Sequence, residues 1–458
     1  MSLETSVVSV TITRATLFPT RQGFGIPLLL AYHTRTPNLI DYYTSLQGMI
    51  DDGFFVTDTA YRMAVVAFSQ NPHPTKVVIG RRTHSTIMIV KILPKNLTVG
   101  FTYSLTYVDA TGLATDISYV VQTSDTAVII GTALQVAIDA LASSSAAVNG
   151  STGEVTITAS TTGVPFNLKN LPYLTDLHVV RTDAANNIVN DYNACKAVDG
   201  STWYGVAIDS NCEAEIEALA AQIETEKKLF IYETSDSDCA DNAVSSDVMS
   251  DLKTSNYART AGIFAQREIA SYRSVGWLSK GLAGGAQNPG GTSWSFLGLN
   301  GVAVDTLISE GSLAKIIAKR GNVYVNMGGL AQTYSDLVAD NEHIDLIVGT
   351  DWLYYSLLTD VLGLFYTAAN NNSKLPYTDS GAAMIQTAVL ARLNSATPSG
   401  KGQQATFLAD LPAPTCTVPK VATVDPAVRA DRQLPDVKFT ATLAGAINSV
   451  VISGTLSV

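Results

Sequence analysis

The sequence is poor in charge. Only 15% of its 458 residues are Asp, Glu, Lys or Arg, against 46% hydrophobic, a balance too lean for a chain that meets water on every side and one that points to surface buried against other chains. Histidine occurs five times. The residues at 33, 73, 84, 178 and 343 form no HExxH and no i, i+4 pair, so no metal and no cofactor is expected. No run reaches the roughly 18–20 uninterrupted apolar residues of a membrane span. The nearest, WLYYSLLTDVLGLFYTAA, is broken by Thr359 and Asp360 and reads as a buried helix. The opening MSLETSVVSVTITR lacks the basic, apolar, small-residue order of a secretory signal, from which a protein made and kept in the cytoplasm is expected.

Catalytic signatures are missing as well. GLAGGAQNPGG lacks the GxxxxGK(S/T) order and reads as a flexible connector, no GxGxxG opens a helix after a strand, and neither GxSxG nor a kinase set appears. Glu213 and Glu217 read as solvated charge on a helix face, Arg81–Arg82 as a surface pair, and His343 with Asp345 as a structural pair. No catalytic residue is assigned and no enzyme is expected. If such a chain does mechanical work, it stores the free energy in its own assembled conformation.

Four cysteines, Cys195, Cys212, Cys239 and Cys416, show neither CxxC nor zinc spacing. Two readings stay open: buried free thiols in a reducing compartment, or disulfide formation after release into an oxidising medium, because Cys212 lies beside a helix start and Cys239 in a polar loop. The net charge of −11 argues against wholesale nucleic-acid binding, which needs a clustered basic surface.

What is present is organised by hydrophobic period. The length sets an expectation of two to four domains at about 100–200 residues each. SVVSVTITRATLF puts Val8, Val10 and Ile12 on one face of a strand, and residues 36–90 read as mixed α/β with a strand in TKVVIGRR. Residues 91–182 turn to Thr, Ser, Gly and Val, with strands in LTVGFTYSLTYVD, DISYVVQT and GEVTITAST around one helix, TALQVAIDALASS; this is a β-rich module of insertable size. From about 190 the α/β texture returns: a strand in TWYGVAID, a helix with Ile216, Leu219, Ala220 and Ile223 at i, i+3, i+4 and i+7, and a strand in KLFIYETSD.

The last third reads as a helix in DTLISEGSLAKIIAKRG, a hairpin in NVYVNMGGLAQTYS, a strand-like HIDLIVG, an apolar helix over 351–369, and a further helix capped by Asp379. Two strands close the chain. DVKFTATLA sets Val437, Phe439, Ala441 and Leu443 on one face, and the final stretch sets Val450, Ile452, Leu456 and Val458 on another. A well-formed strand at a terminus, where fraying is usual, asks for a sheet to join.

With those terminal strands, NEHIDLIVGTDWLYY, SKLPYTDSGAAMIQTAVLARL, DRQLPDVKFTATLAGAINSVVISGTLSV, SNYARTAGIFA and NPGGTSWSFLGLNGV, the chain resembles the tail sheath proteins of contractile bacteriophages (myoviruses), in the branch described as phage structural proteins. The resemblance implies an α/β and α+β multidomain fold. Its sheath core domain is discontinuous, an N-terminal strand plus the C-terminal third, with an α/β domain and a further β-rich domain inserted.

Laid on this sequence, that gives an N-terminal linking arm over 1–20, an α/β middle domain over 21–90 plus 183–299, a β-rich outer domain over 91–182, the core over 300–444 and a C-terminal arm over 445–458. It implies hexameric rings stacked helically around a tail tube and joined by β-strand exchange between subunits. Contraction then drives the tube through the host envelope. The partners implied are further copies of this chain, the tail tube protein and the baseplate and tail terminator proteins, without nucleic acid or direct membrane insertion. The place is the virion tail, assembled in the bacterial cytoplasm.

The inter-subunit contacts expected are Val8, Val10 and Ile12 in one arm and Val450, Ile452, Leu456 and Val458 in the other, docking on the sheet of Phe439 and Ala441. Lys374, Arg392 and Lys401 are candidates to face the tube, against a plain solubilising role. The alternative is another tail component, tube or baseplate, although a tube protein is a shorter β-dominated chain without nested insertions. A host-surface adhesin would show fibrous repeats, and a glycosidase or peptidase with an inserted β-module is a third class.

Overall fold

The computed structural model describes residues 23–83, 87–183, 187–286, 288–402, 406–451 and 453. Val8, Val10, Ile12, Ile452, Leu456 and Val458 lie outside them. Within them the chain is a mixed α/β multidomain protein with four separate sheets. Its contacts divide it into two compact units, one of residues up to 284 with 296–344, the other of 285–295 with residues from 345 onward.

The first unit begins with Pro27–Tyr32 (β1), Ile40–Tyr43 (β2), Leu46–Asp51 (α1), Thr59–Phe68 (α2) and Val77–Arg82 (β3). An insertion follows: Ile89–Pro94 (β4), Thr102–Val108 (β5), Ala114–Val120 (β6), Ala127–Asp139 (α3), Ser144–Val148 (β7), Val155–Ala159 (β8), Asn167–Lys169 (β9) and Leu177–Arg181 (β10). The α/β path then resumes with Ile188–Val198 (α4), Gly205–Ile208 (β11), Glu213–Glu224 (α5), Leu229–Thr234 (β12), Val248–Ser255 (α6), Thr260–Phe264 (β13), Arg273–Gly285 (α7), Glu310–Ala318 (α8), Asn322–Met327 (β14) and Leu330–Tyr334 (β15).

Strand chemistry decides which sheet each run enters. β1, β11, β12 and β13 are buried almost throughout, the pattern of parallel strands covered on both faces. They form the middle of an eight-stranded sheet in the order β15-β14-β13-β12-β11-β1-β3-β2, antiparallel only at β14/β15 and β2/β3. Trp203, Tyr192, Ile216, Leu219, Ile223 and Phe230 fill its core. At Gly262 on β13 an added Cβ would stand 2.3 Å from the Tyr232 ring, so glycine is what lets that ring lie across the sheet.

β4 and β8 instead alternate buried and half-buried residues, as strands with one wet face do. They join the antiparallel sheet β10-β4-β8-β7, beside a second sheet β6-β5-β9. Because β10 pairs with β4, the insertion leaves where it entered.

Three sequence expectations change here. Residues 322–334, grouped by sequence with the last third, belong to the large sheet, because Asn322 and Val323 ladder onto Ile263 and Phe264. Arg82 is no surface residue: its side chain is 3% exposed and its guanidinium is held by Asp209 at 2.6 Å and by Glu215. The Gly-rich run from Lys280 begins as the last turns of α7 and not as a loop.

The second unit contains Ile344–Asn370 (α9), Asp379–Ser395 (α10), Thr415–Thr417 (β16), Pro426–Ala430 (α11) and Lys438–Thr440 (β17). The strand-like HIDLIVG is the start of α9. Gly349 belongs there because a Cβ would lie 2.2 Å from the Phe407 ring. The cap of α10 is Thr378, whose hydroxyl accepts from Gly381 N, while Asp379 one residue on accepts from Val421 N at 2.7 Å. No helix among the described residues is long and apolar enough to cross a membrane.

Candidate assembly surface

α9 is the dominant element of the second unit. Its 27 residues span about 40 Å at 1.5 Å per residue, and a small core lies against it. That core is Leu353, Val389, Leu393, Ala396, Phe407, Leu408 and Cys416. Leu353, Leu357 and Val361 follow at i, i+4 and i+8 along one stripe of the helix. A second stripe, Tyr354, Leu358 and Leu362, continues into Phe365 and Tyr366, and all five of these side chains are exposed, Tyr366 to 72%. α9 is thus apolar on more than one face and uncovered on one. The sequence expectation of a buried helix is corrected accordingly: one stripe is buried and the other is exposed.

Between the two stripes and β17 runs an apolar groove of about 510 Å³, lined by Leu353, Tyr354, Leu357, Leu358, Val361 and Phe439. Phe439 is 44% exposed, whereas Val437 and Ala441, two residues to either side, pack on the core. Of the face expected from DVKFTATLA, Val437 and Ala441 pack inward, Phe439 stands at the mouth of the groove and Leu443 is exposed.

β17 pairs antiparallel with β16 through Thr415↔Thr440, Cys416↔Phe439 and Thr417↔Lys438, and among the described residues this sheet has no third strand. The chain then pairs with 407–409, Ala409 N donating to Thr442 O at 2.8 Å and Ala444 N to Phe407 O at 2.9 Å. Past Ala444 no residue over 445–451 belongs to a strand. Ile447 is 83% exposed and Val451 96%, with Val450 exposed beside it. The unit thus carries an apolar groove, a sheet of two strands and an apolar chain end that its own fold does not cover.

Two of the basic candidates lie beyond opposite ends of α10. Arg392 is held by Asp360 on α9 and stands 5.6 Å from the Trp352 ring centroid. Lys374 is exposed in the link before α10, and Lys401 falls in the short 3-10 turn Ser399–Lys401 beyond its other end. The 17 residues of α10, about 25 Å of helix, lie between Lys374 and Lys401.

No family model and no curated protein matches the chain. Among solved structures it is similar to the sheath tail protein of Desulfitobacterium hafniense, with a TM-score of 0.46 and 10% identity over 96% of this chain and 100% of that one.

All four cysteines are free and buried. Cys195 Sγ donates to Leu39 O at 3.2 Å and Cys212 Sγ to Asp183 O at 2.5 Å. Burial pushes the Cys195 thiol up to about 12 and the Cys212 thiol up to about 11, which leaves both poor nucleophiles for disulfide exchange at neutral pH. Burial also raises Cys416, on β16. His343 bonds to Asp336 at 2.5 Å, not to the Asp345 that sequence proximity suggested. The groove itself was absent from the sequence reading. Its signal is the double i, i+4 stripe on α9, one stripe more than a helix needs to cover a single core.

Proposed function

We propose that this protein is the structural subunit of a contractile phage tail sheath. The reading is supported by the resemblance in its terminal motifs, and it is carried by one observation: the second unit has both an uncovered acceptor, the groove beside Phe439, and an uncovered apolar donor at its own C-terminal end. A donor and an acceptor at different places on one chain suit head-to-tail association, which continues from copy to copy. The donor joins by strand addition to a neighbour's β16–β17 sheet.

Ten residues of strand reach roughly 33 Å. Each ladder bond contributes only about 1 kcal/mol net, and each Val or Ile side chain taken into the groove about 1.5–3 kcal/mol. One link is modest, and many per ring make a mesh that holds while subunits rotate. In this proposal the N-terminal segment with Val8, Val10 and Ile12 is the second arm, the core domain is discontinuous, and the insertion points outward. Hexameric rings stack around the tail tube between baseplate and terminator. Contraction exchanges one set of interfaces for a more stable one and drives the tube through the host envelope.

Negative-stain electron microscopy of the full chain beside a version ending at Ser449 tests it. Tubes or rings from the full chain and only monomers from the shortened one are expected. Tubes from both would remove the C-terminal arm from the account. A full chain that stays monomeric both alone and with a tail tube as template would overturn the sheath assignment.

A further inference from the structure

A second feature lies in the first unit, and assembly does not use it. His178 is on β10, the last strand of the insertion, and Asp236 and Asp238 are on the turn after β12, in the α/β layer. Val179 N donates to Ser237 Oγ at 3.0 Å, which fixes strand against turn. His178 Nε2 stands 2.9 Å from Asp238 Oδ1, and the three side chains each bring one ligand atom within 4.8 Å of the others.

Asp236 is the unusual member. It is 7% exposed, yet among the described residues no cation pairs with it, and its carboxylate accepts from Asp238 N at 2.9 Å. The nearby Lys319 ammonium is spent elsewhere, on Asp247 Oδ2 at 2.7 Å, Asp238 O at 2.7 Å and Val244 O at 2.9 Å. A buried carboxylate without a counter-ion, beside a second carboxylate and an imidazole, costs free energy that a bound cation would recover.

We propose that His178, Asp236 and Asp238 bind a divalent transition-metal ion of the Zn²⁺ or Co²⁺ type, which clips the inserted β-rich module to the α/β layer. One imidazole nitrogen and two carboxylate oxygens are the donor set of such ions, whereas calcium takes six to eight oxygens. Three protein ligands leave the remaining positions to water. Binding releases any proton from these ligands, so metal and proton compete for the site. Sequence spacing hides the site because 60 residues separate His178 from Asp238.

The test uses the full chain, stripped with a chelator and titrated with ZnCl₂ by calorimetry, and with CoCl₂ followed by visible absorption. One equivalent should bind with a saturable Co²⁺ d–d band and a higher melting temperature. His178→Gln and Asp236→Asn should each weaken binding by at least about tenfold, since even outer-shell partners of metals are worth that much. Asp238→Asn, at a partly exposed position, serves as a third variant whose fold should persist, and circular dichroism checks all three. Glu217→Gln, in the separate Glu213, Glu217 and Asp251 cluster, should leave binding unchanged. The absence of saturable binding to the unaltered chain, or an affinity in folded Asp236→Asn and Asp238→Asn unchanged from that of the unaltered chain, would overturn the proposal.

Discussion

Arg392 grips Asp360 with a two-pronged bond, Nε to Oδ2 at 2.7 Å and Nη2 to Oδ1 at 2.8 Å, and so ties α10 to α9. Both side chains are partly exposed, 27% and 29%, which limits the pair to about 0.5–1 kcal/mol. Arg392→Ala should lower the protection of α9 and α10 amides in hydrogen exchange by that amount. Arg392→Lys should recover less than half of it, because an ammonium cannot match both oxygens. A double-mutant cycle with Asp360→Asn that shows no coupling would remove the pair from the account of this unit's stability.

The pair around Arg82 is of another kind. Arg82 and Glu215 are wholly buried, and Asp209 nearly so. Burial opposes the charge on Arg82, and the two carboxylates more than offset it, holding the guanidinium protonated. Arg82→Met leaves two carboxylates facing each other out of water and should cost about 3–5 kcal/mol in denaturant unfolding of the first unit. Glu215→Gln, which leaves Asp209 in place, should cost clearly less. Equal losses would mean that Arg82 is valued for its packing and not for its charge.

How much of this was legible follows the range of each interaction. Runs whose neighbours in sequence decide them, such as VVIGRR on β3 or the i, i+3, i+4 pattern of Ile216, Leu219 and Ala220 on α5, are where the sequence placed them. HIDLIVG reads as a strand by composition, and becomes helix because Gly349 lets Phe407, from 58 residues further on, press against it. Arg82 looks like surface until the end of β11 and the start of α5, from a distant part of the chain, bring Asp209 and Glu215 around it. The Phe439 groove and the His178 cluster are likewise meetings of segments that no window of sequence spans.

Acidic groups supply a test with a sign. Glu213 is half-buried near Glu217 on its own helix, Asp251 and Asp247 at α6, and Asp236 on the turn after β12, and Lys319 at the C-terminal end of α8 is taken up by Asp247. Burial first and these carboxylates second push its carboxyl up to about 7, and Glu217 rises for the same reasons. A carboxyl raised on folding holds its proton more tightly in the folded state. Its favourable share of stability is therefore complete below the unfolded value near 4.3 and is lost as the pH rises to about 7. In a chelating buffer, Glu213→Gln should melt higher than the unaltered protein at pH 8, with the gap closing towards pH 4.5. A gap independent of pH would show that the glutamine acts through packing alone.

Two residues of the groove separate folding from assembly. Leu353 forms its floor at 8% exposure and packs in the core of the second unit, whereas Phe439 stands at its mouth at 44%. Leu353→Ala removes buried methyl groups and leaves a cavity, so it should destabilise by about 2–5 kcal/mol whether or not the protein assembles. Phe439→Ser removes surface that the isolated chain exposes in any case and should change its unfolding by less than about 1 kcal/mol. If the groove receives a neighbour's apolar arm, the same serine should abolish sedimenting polymer, while the longer C-terminal end is still present to be donated. Loss of polymer with unaltered monomer stability would then locate the acceptor at Phe439. Intact polymer would mean that the arm docks elsewhere, on the open edges of β16 and β17 alone, where backbone bonds and not side chains supply the contact.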